Sequence, residues 1–193
     1  MCGIAGIVRL DDGAPDQAAL DAMSAALAHR GPDGSGRAAL GSCALAHRRL
    51  AVLDLTEAGA QPMSDRSGRY HVTYNGEIYN YVELRAELEA RGAVFRSATD
   101  TEVLVEGYAA WGVRVLERLN GMFAFAIWDA HEQALFAARD RFGEKPFFYT
   151  HDPGRELRFA SEVKALRAGG LRAGAAPGTL FRFLAYCTTG TSG

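Results

Sequence analysis

Apolar positions along this chain follow two different periods. From Gly3 to Leu10 the run is almost continuously apolar, which predicts a buried strand, and Asp11-Asp12-Gly13 behind it reads as a turn. Between Asp16 and Ala28 the spacing changes to three and four, so that Leu20, Met23 and Leu27 share one helical face. His29 to Gly36 carries three glycines and a proline and reads as a loop. Two β segments follow, around Ala38–Leu40 and Cys43–Leu53, joined through Gly41-Ser42. Tyr70 to Tyr74 is a further strand and ends on Asn75-Gly76, a common turn pair.

Helical spacing returns at Tyr81–Arg91, where Leu84 and Leu88 lie one turn apart and Gly92 stands where a helix-terminating glycine belongs. Thr101 to Trp111 is the third predicted helix, closed by Gly112. Met122–Trp128, Ala134–Ala138, Pro146–Tyr149 and Leu157–Ala160 are short apolar runs between turns, as antiparallel strands would be. Phe123, Phe125, Trp128, Phe147, Phe148 and Tyr149 lie on these strands and are expected in the core. Strands in runs with helices outside them make an α+β layered fold. Beyond Leu166 the composition shifts to Ala, Gly and Arg, and Leu180–Tyr186 reads as the start of another helix before the tail Thr188–Gly193.

A chain of 193 residues, 48% of them hydrophobic, can bury one full core. Its net charge of −2 comes from 21 basic and 23 acidic residues, mixed along the sequence rather than blocked, which points away from nucleic acid and from anionic membrane. The first apolar run stops at Arg9 and has no basic segment before it, so neither a signal peptide nor a membrane span is read, and a cytoplasmic location is expected. Cys2, Cys43 and Cys187 are odd in number and far apart, which fits neither a disulfide framework nor a zinc site.

The chemistry starts at Cys2. Removal of Met1 would leave a thiol and a free α-amine on one residue, and an amine so placed can move a proton without any histidine. By itself a cysteine at position two is more often a small buried hydrophobe. Its context changes that reading. His29-Arg30-Gly31-Pro32-Asp33, Asn75-Gly76-Glu77-Ile78-Tyr79-Asn80, Thr99-Asp100-Thr101-Glu102 and Arg139 to Pro146 follow Cys2-Gly3-Ile4 in order. In this the chain, from Cys2 to about Leu166, resembles the glutaminase domain of the asparagine synthetases, class II glutamine amidotransferases with an N-terminal nucleophile.

The resemblance implies a four-layer αββα sandwich of the N-terminal-nucleophile hydrolase type, two antiparallel sheets between helical layers. It also implies hydrolysis of L-glutamine to glutamate and ammonia through a Cys2 glutamyl thioester. Such acyl transfer needs an oxyanion site, and Asn75 with Gly76 can offer a side-chain amide and an unhindered backbone N–H. The substrate's α-carboxylate and α-ammonium call for a fixed cation and anion, for which Arg49 and Asp100 are the candidates, with Gly76 and Glu77 as further contacts. Asp100 also lies in a helix-capping sequence, Thr99 being the cap and Glu102 its partner three residues on. Arg48 is read as a solvated neighbour of Arg49. His29 and His47 are not read as bases, because the α-amine suffices. Arg30 and Met122 match positions that in the family face the passage taken by ammonia.

On this reading residues 1–166 form the glutaminase domain, and 167–193 a linker and the truncated start of a synthetase domain that would pass the ammonia to aspartate. The domain itself is expected to need no cofactor and no metal. ATP and magnesium belong to the synthetase domain, since no phosphate-binding glycine loop occurs here. Expected partners are L-glutamine and that C-terminal domain, with a homodimer left open by the apolar stretch 180–186. The competing reading is a catalytically silent scaffold domain of a related ATP-dependent amide-forming synthetase.

Overall fold

The computed structural model describes residues 1–172, 174 and 176–187. The predicted tail Thr188–Gly193 lies outside them. Strands β1 (Gly3–Arg9), β2 (Gly34–Leu40), β3 (Cys43–Arg49), β4 (Met63–Ser64), β5 (Tyr70–Ile78), β6 (Gly121–Asp129), β7 (Ala134–Arg139), β8 (Phe148–Asp152) and β9 (Glu156–Ala160) form two sheets. One has the order β2-β3-β1-β9-β8, the other β4-β5-β6-β7, and neighbouring strands are antiparallel throughout. Helices α1 (Gln17–Ala26) and α4 (Val163–Ala168) cover the first sheet, α2 (Tyr81–Ala90) and α3 (Asp100–Trp111) lie on the side of the second, and α5 (Pro177–Tyr186) follows with exposed side chains.

The four layers follow from strand alternation. Along β6, Phe123, Phe125 and Ile127 face α2 and α3, while Ala124, Ala126 and Trp128 face the other sheet. On β1, Ala5 and Ile7 pack under α1, whereas Ile4 and Val8 join Trp128 and Phe159 between the sheets. Gly6 is held to glycine by that inner layer, because a Cβ there would lie 2.3 Å from the Phe159 ring. The predicted αββα sandwich is the observed one.

Several elements depart from the sequence reading. Asn75 and Gly76 are not a turn: β5 runs through both to Ile78, neither has the positive φ of a hairpin turn, and each pairs with β6. The segment His29–Gly36, read as a loop, falls partly in a 3-10 turn, Ala28–Arg30, and partly in the edge strand β2, which begins at Gly34 rather than near Ala38. β3 ends at Arg49 rather than near Leu53, and α4 was not foreseen. Phe148 and Tyr149 are 43% and 65% exposed on the edge strand β8, so the core aromatics of that segment reduce to Phe147, stacked on Phe159.

Candidate active site

Six residues singled out from the sequence line one cavity of about 180 Å³. Cys2 comes from the head of β1, Arg49 from the end of β3, Asn75, Gly76 and Glu77 from β5, and Asp100 from the first turn of α3. They meet because β1 and β5 sit in facing sheets and end at the same rim.

Cys2 Sγ lies against residue 50, accepting the Leu50 N–H at 3.4 Å and approaching the Leu50 carbonyl at 3.6 Å. Burial pushes the Cys2 thiol above its ordinary pKa, and the Leu50 amide, the positive chain terminus and Arg49 oppose that shift. The Cys2 carbonyl accepts from Arg30 Nε at 2.8 Å, and Arg30 Nη1 pairs with Glu162 at 2.9 Å. The His-Arg-Gly-Pro-Asp motif therefore fixes the backbone of Cys2. Gly31 in the same motif could carry no side chain, since its Cβ would lie 2.3 Å from the Arg48 carbonyl.

Asn75 is 2% exposed, and its Nδ2 has no hydrogen-bond partner. A buried orphan donor is uncommon and calls for a reason. Gly76 sits opposite Phe123, whose own N–H and C=O are engaged with Asp140, so this is a non-hydrogen-bonded pair of the β5–β6 ladder. The amides of Tyr74, Gly76 and Ile78 accordingly turn to the opposite edge of β5, beyond the end of the two-residue β4. There Gln61 Oε1 takes the Tyr74 N–H at 2.7 Å and Asp100 Oδ2 the Ile78 N–H at 3.0 Å. The Gly76 amide lies between these two on the cavity side. A Cβ on Gly76 would meet the Met122 carbonyl at 2.4 Å and the Tyr74 ring at 2.6 Å, so glycine is required.

Asp100 is 5% exposed and accepts from the Tyr74 hydroxyl at 2.8 Å as well as from Ile78. Burial raises its pKa, only partly offset by those two donors. Thr99 caps α3 as predicted, its Oγ1 accepting the Glu102 N–H at 3.1 Å. Glu102 does not close the capping box: its carboxylate takes the amides of Arg96 and Ser97 and the Ser97 hydroxyl. Arg49 donates Nη1 to the Thr56 carbonyl at 2.7 Å and Nη2 to that of Asp54, which pins the loop over the cavity. Asp54 holds the same loop at φ 52°, its Oδ2 accepting the Ala98 N–H at 3.0 Å. Glu77 is exposed at the rim.

Arg48 is not a solvated residue, because its Nε donates to Ser24 on α1 at 3.0 and 3.1 Å. His47 is 1% exposed, its Nε2 donates to the Tyr74 carbonyl at 3.1 Å, and burial lowers its pKa to about 4. It is a neutral prop for β5. His29 pairs with Glu162 at the surface. Met122 lines the cavity, as do three residues that the sequence did not flag: Tyr74, Gln61 and Lys145. Lys145 lies in a motif noticed only as a pattern, and Gln61 gives no signal, its importance arising from where its loop runs. Among the described residues no group of three or more His, Cys, Asp or Glu could hold a metal ion.

Residues 1–192 match the glutamine amidotransferase domain family. The chain belongs to that family. The amidotransferase domain is 45% identical over 171 residues to asparagine synthetase [glutamine-hydrolyzing] 3 of Bacillus subtilis, an alignment covering 87% of this chain and 28% of that protein. Over 167 residues it is 38% identical to asparagine synthetase [glutamine-hydrolyzing] 2 of Oryza sativa subsp. japonica, covering 86% and 28%. The chain thus spans little more than a quarter of the length of these curated relatives. Among solved structures, the glutamine phosphoribosylpyrophosphate amidotransferase of B. subtilis, complexed with ADP and GMP, superposes with a TM-score of 0.69 at 24% identity. That match covers 88% of this chain and 44% of that one, and it shows a shared fold.

Proposed function

We propose that this amidotransferase domain hydrolyses L-glutamine to L-glutamate and ammonia, with Cys2 as nucleophile after loss of Met1. The α-amine of Cys2 accepts the thiol proton, and the sulfur attacks the side-chain carbonyl carbon. The C–S bond forms and the carbonyl oxygen takes the negative charge, received by Asn75 Nδ2 and the Gly76 N–H. Collapse breaks the C–N bond, and the α-ammonium returns its proton to the departing nitrogen, which leaves as ammonia. Water then attacks the thioester, releasing glutamate and the thiol. Arg49 would hold the substrate α-carboxylate and Asp100 its α-ammonium, with Gly76 and Glu77 alongside.

One observation carries this reading. The buried, partnerless Nδ2 of Asn75 shares a small cavity with Cys2, just ahead of β1, and not with the buried Cys43 at the start of β3. A scaffold gains nothing from an orphan donor, whereas an oxyanion would satisfy it.

The ammonia acceptor belongs to the longer protein. Because the relatives are named asparagine synthetases [glutamine-hydrolyzing], we assign a C-terminal synthetase domain that forms asparagine from aspartate with ATP and magnesium. Residues 1–166 are then the glutaminase unit, working in the cytoplasm, and 167–193 lead into that partner. The test is glutamate release from L-glutamine by protein whose intact mass shows Met1 removed. Cys2→Ala is expected to abolish release while the circular dichroism spectrum is retained. Activity in Cys2→Ala would overturn Cys2 as the nucleophile, and none in the folded wild type would favour the scaffold reading.

A further inference from the structure

The Arg139 to Pro146 motif takes no part in the chemistry above, and its geometry converges on one side chain. The Asp140 carboxylate accepts backbone N–H groups from Phe123, Phe142, Glu144 and Lys145 at 3.2, 3.1, 2.9 and 3.0 Å. Arg139 Nε donates to the Lys145 carbonyl at 2.6 Å, and Gly143 makes the turn at φ +65°. A loop tied at so many backbone atoms presents its side chains rigidly. The one it turns inward is Lys145, which is 7% exposed and lines the cavity of Cys2 and Asn75.

Among the described residues the Lys145 ammonium has a single partner, Met1 Sδ at 3.6 Å. A thioether is a weak acceptor, and a buried lysine is almost always paired with something stronger. The partner it does have belongs to the residue that must leave. The bonds of Met1 keep its sulfur within about 6.5 Å of the Cys2 nitrogen. With the 3.6 Å contact added, Nζ lies within about 10 Å of that nitrogen.

We propose that Lys145 is an electrostatic positioning residue for the reaction, its fixed ammonium opposing a second positive charge on the neighbouring Cys2 α-nitrogen and so keeping that amine a free base. This rests on the reading of Cys2 as an N-terminal nucleophile. An ordinary α-amine has a pKa of about 7.7 to 8.0 and would be mostly protonated at neutral pH, where it could not take the thiol proton. A cation about 10 Å away, at an effective dielectric constant of about 20, lowers such a pKa by roughly one unit. The other charges facing the centre divide. Arg49 from β3 acts with Lys145, Arg30 from the 3-10 turn is offset by its partner Glu162, and Asp100 from α3, Glu77 from β5 and a Cys2 thiolate act against it. Bound glutamine would place its own ammonium on the two carboxylates and cancel their opposition. Asp140 is spent on backbone amides, and Glu144 points to solvent.

The experiment uses the full chain, Met1 loss verified by mass, labelled with 15N-cysteine. The Cys2 amine is titrated by NMR in wild type, Lys145→Met, Lys145→Gln and Lys145→Arg, with thermal unfolding beside each; the two neutral variants guard against one failing to fold. The midpoint is expected to rise by about one pH unit in the neutral variants and to stay near wild type in Lys145→Arg, with the acid limb of kcat/KM for glutamine moving in step. A merely structural lysine would change stability and leave the midpoint alone. Equal midpoints in all four proteins overturn the proposal, even if turnover is normal. A lysine-dependent midpoint in protein that never hydrolyses glutamine upholds it and overturns the glutaminase reading instead.

Discussion

Replacing Asn75 by alanine separates the two uses to which a buried amide can be put. A buried asparagine usually earns its place by its hydrogen bonds, so truncation usually destabilises. Here Nδ2 bonds to nothing, and an unsatisfied buried donor costs the fold about 1–3 kcal/mol. Deleting it removes that cost and loses a little packing, two effects of similar size and opposite sign. The unfolding temperature of Asn75→Ala is therefore expected to stay within roughly 4 °C of wild type, since 1 kcal/mol moves Tm by about 2–4 °C at this chain length. In the transition state the same nitrogen meets an oxyanion, and loss of one such donor costs about 100- to 1,000-fold in kcat, equivalent to about 2.7–4 kcal/mol. The assay is steady-state glutamate release against glutamine concentration, with calorimetry on the same preparation. A large fall in Tm, or a rise in KM with kcat intact, would refute the oxyanion role for Asn75.

Arg49→Ala should raise KM for glutamine with a smaller change in kcat, because it removes a contact made in ground and transition states alike; steady-state kinetics would show the reverse split if Arg49 served only the loop carbonyls. Asp100→Asn should likewise raise KM. Its stability effect has a definite sign: burial raises the folded pKa of Asp100, so the wild-type carboxyl favours folding below its unfolded pKa of about 3.9 and that stability is lost as pH rises through the folded value. Asp100→Asn should then unfold at a higher temperature than wild type at pH 7 and at the same temperature near pH 3, and a constant gap across that range would contradict the argument. Gly76→Ala would force its Cβ to within 2.4 Å of the Met122 carbonyl, so chemical denaturation should show a loss of stability together with loss of turnover; a fully active variant would show that the β5 edge is slacker than described.

What could be read in the chain alone was whatever depends on near neighbours in sequence. The spacing of Leu20, Met23 and Leu27 marks α1 because its face repeats within the helix, and Asp16 caps it as a local bond to the Ala19 amide. The continuous apolar runs of β1 and β6 are equally local, and the thiol and amine proposed to react at Cys2 sit in a single residue. Asn75-Gly76 was misread as geometry, since the pair alone favours a turn, and only pairing with Phe123 and Ala124 across β6 holds it extended. That extension is what aims the Gly76 amide at the cavity. The first half of β2 escaped notice because an edge strand with one covered face needs little apolar content, so that only Ala38–Leu40 read as β, and α4 because six residues hold too few turns for a period to show. Gln61, Tyr74 and Lys145 entered the site by the same route. Their side chains act through contacts 13 to 144 residues away along the chain, on Tyr74, Asp100 and Met1, and such contacts exist only once the two sheets have closed face to face.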